Sequence, residues 1–135
     1  MKYIPKICSI DTRQFSINAN DLKDLKNVLV SLNMNFGVNE SRSTIASKGL
    51  FLYSVDDCEL MRLEVECKFS LNPEDSEEIN ATRRVSIDAL QYLASIVVGT
   101  ARGIIHAKTA GTALAGMVLP QIDLTSVIKG DFVID

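Results

Sequence analysis

Between residues 60 and 71 the chain alternates without a break. Met61, Leu63, Val65, Cys67, Phe69 and Leu71 are apolar, and Arg62, Glu64, Glu66, Lys68 and Ser70 between them are polar or charged. Successive side chains of a strand point to opposite faces, whereas a helix brings together residues three and four apart. Only a strand keeps all of these apolar groups on one side. Its other side carries charge and must stay wet, so the sheet that holds this strand has one covered face. Any helix the chain forms has to pack on that face.

The same period recurs upstream. Over residues 28–38, Val28, Val30, Leu32, Met34, Phe36 and Val38 oppose Ser31, Asn33, Asn35 and Gly37. Asn39-Glu40-Ser41-Arg42-Ser43 predicts a turn. A further strand is expected over residues 44–55, with Leu50, Phe51, Leu52 and Tyr53 at its centre. Both of its sides are apolar, so a second surface needs a cover. Asp56-Asp57 predicts the next turn. A weaker strand is expected over about residues 4–17, with a bulge or bend near residues 11–13. Short turns between neighbours imply antiparallel pairing.

Residues 72–78 are polar and predict a loop. From Ser86 the period changes. Leu90, Leu93, Ala94, Val97, Ala101, Ile104 and Ile105 lie three and four apart, one apolar helix face. Ser86 suits the N-cap and Asp88 the first turn; His106 and Lys108 suit the last turn, and Gly111 ends it. An apolar extended piece is expected over residues 112–119, followed by a break at Pro120. The predicted fold class is α+β, a four-stranded antiparallel sheet followed by one long helix packed on one face. No repeat or linker divides the 135 residues, so they form a single domain.

Composition excludes several classes. With 47% apolar and 23% charged residues the chain is globular. Acids and bases are mixed along it to a net charge of −3, which argues against nucleic acid as a partner, since phosphate binding needs a basic patch. Cys8, Cys58 and Cys67 are scattered and lack CxxC spacing, and one histidine adds too few ligands for zinc. They read as thiols in a reducing compartment. The sequence MKYIPKICSI has no apolar signal core, and the apolar run at residues 89–101 is too short to span a bilayer. The expected location is cytoplasmic, and the protein is not expected to be an integral membrane protein.

No catalytic constellation is visible. His106 is the lone histidine and suits a helix end; Ser95 and Ser126 lack a nucleophile-elbow context. Asp56-Asp57 and Glu77-Glu78 fall in predicted turns, where acids are solvated. Gly99-Thr100-Ala101-Arg102-Gly103 resembles a phosphate loop only superficially, because it lies inside the helical pattern and follows no strand. The expected protein is not an enzyme, has no cofactor and holds no metal. Gly99, Gly103, Ala107 and Gly111 recur every four residues. Glycine in mid-helix costs about 1 kcal/mol relative to alanine, so a close neighbour is implied. That neighbour is either the protein's own sheet or the helix of a second subunit. Ile96, Val97 and Val98 in succession make the helix apolar nearly all round, more than one sheet can cover. A homo-oligomer, dimer or tetramer, is expected, with Gly99, Gly103 and Ala107 at its interface.

The block LEVECKFSL (residues 63–71), the polar loop, and the stretch ALQYLASIVVGTARGIIHAKTAGTALAGMVLPQIDLTSVI (residues 89–128) together resemble the SecB family of export chaperones. The helix leads through a Gly-Thr turn to Leu119-Pro120-Gln121-Ile122-Asp123-Leu124, similar to the family's helix end, proline and Leu-Asn-Leu-like run. The similarity runs from about Ile4 to Ile128 and is one of pattern more than identity. The resemblance implies dimers joined through the first strand and the long helix, paired into tetramers. It implies an ATP-independent holdase for unfolded or nascent polypeptides, with client side chains in apolar grooves. The candidate groove residues are Leu50, Phe51, Tyr53, Met117 and Val118; each also suits the core. Glu64, with Glu66 beside it, matches the strand acid through which the family docks the SecA motor. Departures are Arg13 and Ser16, where first-strand acids are expected near Phe15, and a chain that reaches Asp135 without the family's long second helix. Export through SecA and guarding of an antitoxin or other single client both fit. The alternatives are a hot-dog-like acyl-binding or thioesterase domain, whose helix would come early in the chain, and a purely structural assembly subunit.

Overall fold

The computed structural model describes residues 5–18 and 27–134. Ile4 and Asp135 therefore lie outside the described residues. Four strands, β1 (Lys6–Ile17), β2 (Leu29–Val38), β3 (Thr44–Val55) and β4 (Cys58–Ser70), form one sheet in the order β1-β4-β3-β2. All three pairings are antiparallel. The short-turn argument accounts for the meander β2-β3-β4, while β1 docks on β4 at the far edge from β2. Asp56 and Asp57 both adopt positive φ, the geometry of a tight hairpin turn whose twist matches the strands it joins. At the other hairpin the Asn39 carboxamide oxygen accepts from the Ser43 and Thr44 amides at 2.9 and 3.0 Å.

The alternation in β4 reports its faces correctly. Met61, Leu63, Val65, Cys67 and Phe69 are fully buried on the helix side. Ile45, Phe51 and Tyr53 of β3 are buried with them, and Gly49 sits among them. Phe51 (0% exposed) and Tyr53 (1%) therefore belong to the core, which corrects their assignment to an open groove. The sequence shows apolar residues on both faces of β3, and register with β4 decides which set is covered: Phe51 pairs with Leu63 and Tyr53 with Met61. Leu50 pairs with Glu64 and shares its open face, half-buried.

The long helix, α2 (Ile87–Thr109), starts at Ser86, whose hydroxyl accepts from the Ala89 amide at 3.2 Å. It crosses β3 and β4 on the covered face. A Cβ on Gly49 would stand 2.9 Å from the Phe51 ring and 3.0 Å from a Val97 methyl, so glycine there lets the helix settle onto the sheet.

Several parts of the chain depart from the sequence-based expectation. The polar stretch after β4 is not a loop but a helix, α1 (Pro73–Thr82), capped by Asn72 with Glu74 and Asp75 in its first turn. Glu77 and Glu78 stand on its exposed side. The piece expected to be extended over residues 112–119 is instead a run of turns up to Gly116, with Gly111 and Gly116 at positive φ, followed by irregular chain at 117–119. Beyond them lie a one-turn helix, α3 (Leu124–Val127), and a two-residue strand, β6 (Phe132–Val133), paired with β5 (Arg84–Val85). This C-terminal segment returns along one flank of α2 and buries Leu114, Leu119 and Ile128 there. The Gln91 amide reaches the Ile128 carbonyl at 3.5 Å, and the Arg102 side chain reaches the Leu119 carbonyl at 3.1 Å.

Candidate functional site

Helix α2 buries Leu90, Leu93, Ala94, Val97, Val98, Ala101 and Ile105 against the sheet and the C-terminal segment. Tyr92, Ser95, Gly99, Gly103 and His106 are left exposed along its outer side. A Cβ on Gly99 or on Gly103 would meet nothing within 4 Å. The close packing on its own sheet, weighed as one reason for these glycines, is therefore not the reason. Beside them, between α2 and the turn at Gly116, lies an open cavity of about 350 Å³. Gly99 and Gly103 floor it, Met117 and Val118 wall it, and Arg102 and His106 reach it from the helix.

The structure thus brings together residues that the sequence separates into two roles. Met117 and Val118, expected to bind clients, share one cavity with Gly99 and Gly103, expected at a subunit interface. Val118 is 68% exposed although apolar. Ala107 is exposed but stands apart from this cavity, about three turns beyond Ile96 on the same side of the helix. Arg102 and Gly116 are cavity residues that sequence reasoning missed. The run Gly99-Thr100-Ala101-Arg102-Gly103 signals Arg102, since it places an arginine on a helix between two glycines.

Arg102 anchors the wall. Its Nε donates to the Leu119 carbonyl at 3.1 Å and its Nη2 to the Pro120 carbonyl at 3.3 Å. Near it the Tyr53 hydroxyl is buried without a hydrogen-bond partner among the described residues, and burial pushes its pKa above the usual phenol range while Arg102 pulls the other way.

A second uncovered surface lies at the opposite flank. Register with β4 puts Ile7, Ile10, Thr12, Phe15 and Ile17 on the helix side of β1. The strand keeps all five there by two irregularities, between Ile7 and Ser9 and between Thr12 and Gln14. The second is the bulge expected near residue 13; the first was not foreseen. Near the end of α2 the Lys108 ammonium lies 5.3 Å from the centre of the Phe15 ring of β1. Ile7 and Ile10 remain 44% and 56% exposed on a face where their β4 partners, Phe69 and Cys67, are fully covered.

On the open face Glu64 and Glu66 stand side by side as expected, but they are not alone. Lys48 pairs across from Glu66, Lys68 lies 3.9 Å from it, and Arg62 is bound to Glu59 at 2.7 Å. Asp11 and Glu66 hold the Arg13 guanidinium above its usual range, the hydrogen bond to Asp11 being the larger cause. Charge on this face is mixed.

Residues suited to catalysis are engaged locally. The Ser95 hydroxyl donates to the Tyr92 carbonyl at 2.6 Å and that of Ser126 to the Asp123 carbonyl at 2.7 Å. Cys67 is buried, which pushes its thiol above the usual range. Among the described residues no group of His, Cys, Asp and Glu is arranged to hold a metal ion, and no helix is long and apolar enough to cross a membrane.

No protein-family model and no curated protein sequence matches the chain. Among solved structures, it is similar to the Mycobacterium tuberculosis Rv1957 SecB-like chaperone, determined in complex with a ChAD peptide from the Rv1956 HigA1 antitoxin. The TM-score is 0.58 at 14% identity, over 88% of this chain and 91% of that one. The fold is SecB-like. At that identity the likeness establishes the arrangement of sheet and helix, and residue roles must come from this chain's own surface. The helix follows all four strands of the sheet, as in the expected architecture.

Proposed function

We propose that this protein is a cytoplasmic, ATP-independent holdase that binds unfolded polypeptide, and that it acts without enzymatic chemistry. The observation that carries the reading is the open cavity between α2 and residues 116–118, floored by glycines and walled by Met117 and Val118. An extended chain can lay alternate apolar side chains into such a channel while its backbone stays hydrated, which gives a long footprint with little sequence selectivity. Methionine adapts its shape to different occupants. The SecB-like neighbour, bound to an antitoxin peptide, supports a polypeptide as ligand.

In this reading Gly99 and Gly103 are part of the channel floor, and copies meet across β1 and the adjoining side of α2 that carries Ile96 and Ala107. Ile7 and Ile10 are the apolar groups that such a contact would cover. The mixed charge around Glu64 and Glu66 favours a dedicated client, such as an antitoxin, over docking of an export motor on that face.

The test is aggregation of chemically unfolded proteins diluted into buffer without nucleotide. The reading predicts that near-stoichiometric protein slows aggregation of several unrelated clients, and that Met117→Asp with Val118→Asp removes the effect while the fold is retained. Failure to slow any of them would leave a structural assembly subunit as the better account.

A further inference from the structure

The client channel carries a charge that its apolar walls do not explain. Arg102 lies between Gly99 and Gly103 on the cavity side of α2. Among the described residues no carboxylate is within ion-pair distance of it, whereas Arg13 and Arg62 each have one. A guanidinium has five N–H donors. One on Nε and one on Nη2 are engaged by the Leu119 and Pro120 carbonyls, so both donors on Nη1 and the second on Nη2 have no hydrogen-bond partner among the described residues. His106, one turn further along the helix, borders the same cavity. Ile105, Thr109, Gly116, Met117 and Val118 form the rest of its lining, so an anion entering it would meet the guanidinium beside mainly apolar walls, where water is partly excluded.

We propose that the channel selects polypeptide segments in which a carboxylate side chain stands next to an apolar anchor, the apolar group against Met117 and Val118 and the carboxylate on Arg102. The inference rests on the holdase reading and adds a charge preference to it. Carboxylate and guanidinium match in planar geometry, and a charge-assisted pair of this kind is stronger in a partly dry mouth than in bulk water. A lysine- or arginine-bearing segment would meet like charge from Arg102 and would have to leave it unpaired. The two tethers to Leu119 and Pro120 hold the guanidinium in place, so little side-chain freedom is lost when the anion arrives.

Three fluorescent peptides test this, identical but for one central residue, Glu, Gln or Lys, flanked by leucine and phenylalanine. Their anisotropy is measured on the intact protein at low salt. The expected result is that the Glu peptide binds about tenfold more tightly than the Gln peptide, that the Lys peptide is weakest, and that added salt narrows the spread. In Arg102→Gln the Glu-to-Gln ratio falls to about one, whereas in Lys48→Gln, on the open face of the sheet, it persists. Should Arg102→Gln fail to fold, the wild-type peptide series and its salt dependence still decide. Equal binding of the Glu and Gln peptides, or tighter binding of the Lys peptide, overturns the charge preference and leaves the holdase reading standing. No binding by any of the three overturns both.

Discussion

Three glycines of this chain show how one residue type answers to different constraints. Gly49 is enclosed: an added Cβ would press on Phe51, Val97 and Met34 at 2.9 to 3.1 Å. Gly99 and Gly103 face open space within the subunit. Substitution by alanine should therefore have opposite signs. Gly49→Ala crowds three core side chains and is expected to cost about 1–3 kcal/mol. Gly103→Ala gains helix propensity and is expected to stabilise the subunit by up to about 1 kcal/mol, while narrowing the channel floor and weakening client binding. Thermal unfolding and peptide titration of the two variants read both effects; a destabilised Gly103→Ala would mean that a neighbour already packs there. At this scale the sequence was partly legible. The charged alternates of β4 declare its wet face, so its core residues follow directly. In β3 both faces are apolar, and Phe51 and Tyr53 could be told from Leu50 only by register. Arg102 was legible as a helix residue, but not as the anchor of a segment seventeen and eighteen residues further on.

At the scale of elements, β2, β4 and the long helix were legible because each carries its own period over ten or more residues, while β3 and β1 were placed by their apolar content and the turns around them. Helix α1 was missed although Asn72-Pro73-Glu74-Asp75 is a helix start in miniature, because its body has no apolar stripe to confirm it. The path of residues 112–131 was illegible for another reason: contacts with α2 that are far apart in sequence set it. Strand β1 has the largest unmet need. It is an edge strand with an outer ladder of backbone groups, and its helix side exposes Ile7 and Ile10. Lysine on such an edge opposes pairing with another chain. Ile10→Lys is accordingly expected to leave subunit stability within about 0.5 kcal/mol of wild type while shifting the protein toward monomers in sedimentation or light scattering at micromolar concentration. An unchanged mass for the variant would move the subunit contact elsewhere, and a monomeric wild type would remove it.

For the whole molecule, the account turns on what the C-terminal segment leaves uncovered. Residues 112–131 cover one flank of α2 and bury Leu114, Leu119 and Ile128, so the subunit hides more of its apolar helix than a sheet alone could. They leave the outer side open, where Gly99 and Gly103 share a cavity with Met117 and Val118. The C-terminal segment thus takes up much of the apolar helix surface expected to be in surplus, and what stays open is a channel beside α2 and a strip along β1. The SecB-like arrangement was legible in the order of elements, whereas the location of the channel was not, because it depends on where a turn-rich segment comes to rest. The most direct measurement is photo-crosslinking with a benzophenone side chain placed singly at Val118 in the channel or at Asn33 on the open face of the sheet, in the presence of an unfolded client. The account predicts covalent capture of the client from position 118 and little from position 33. Equal capture from both positions, or capture from position 33 alone, would contradict it.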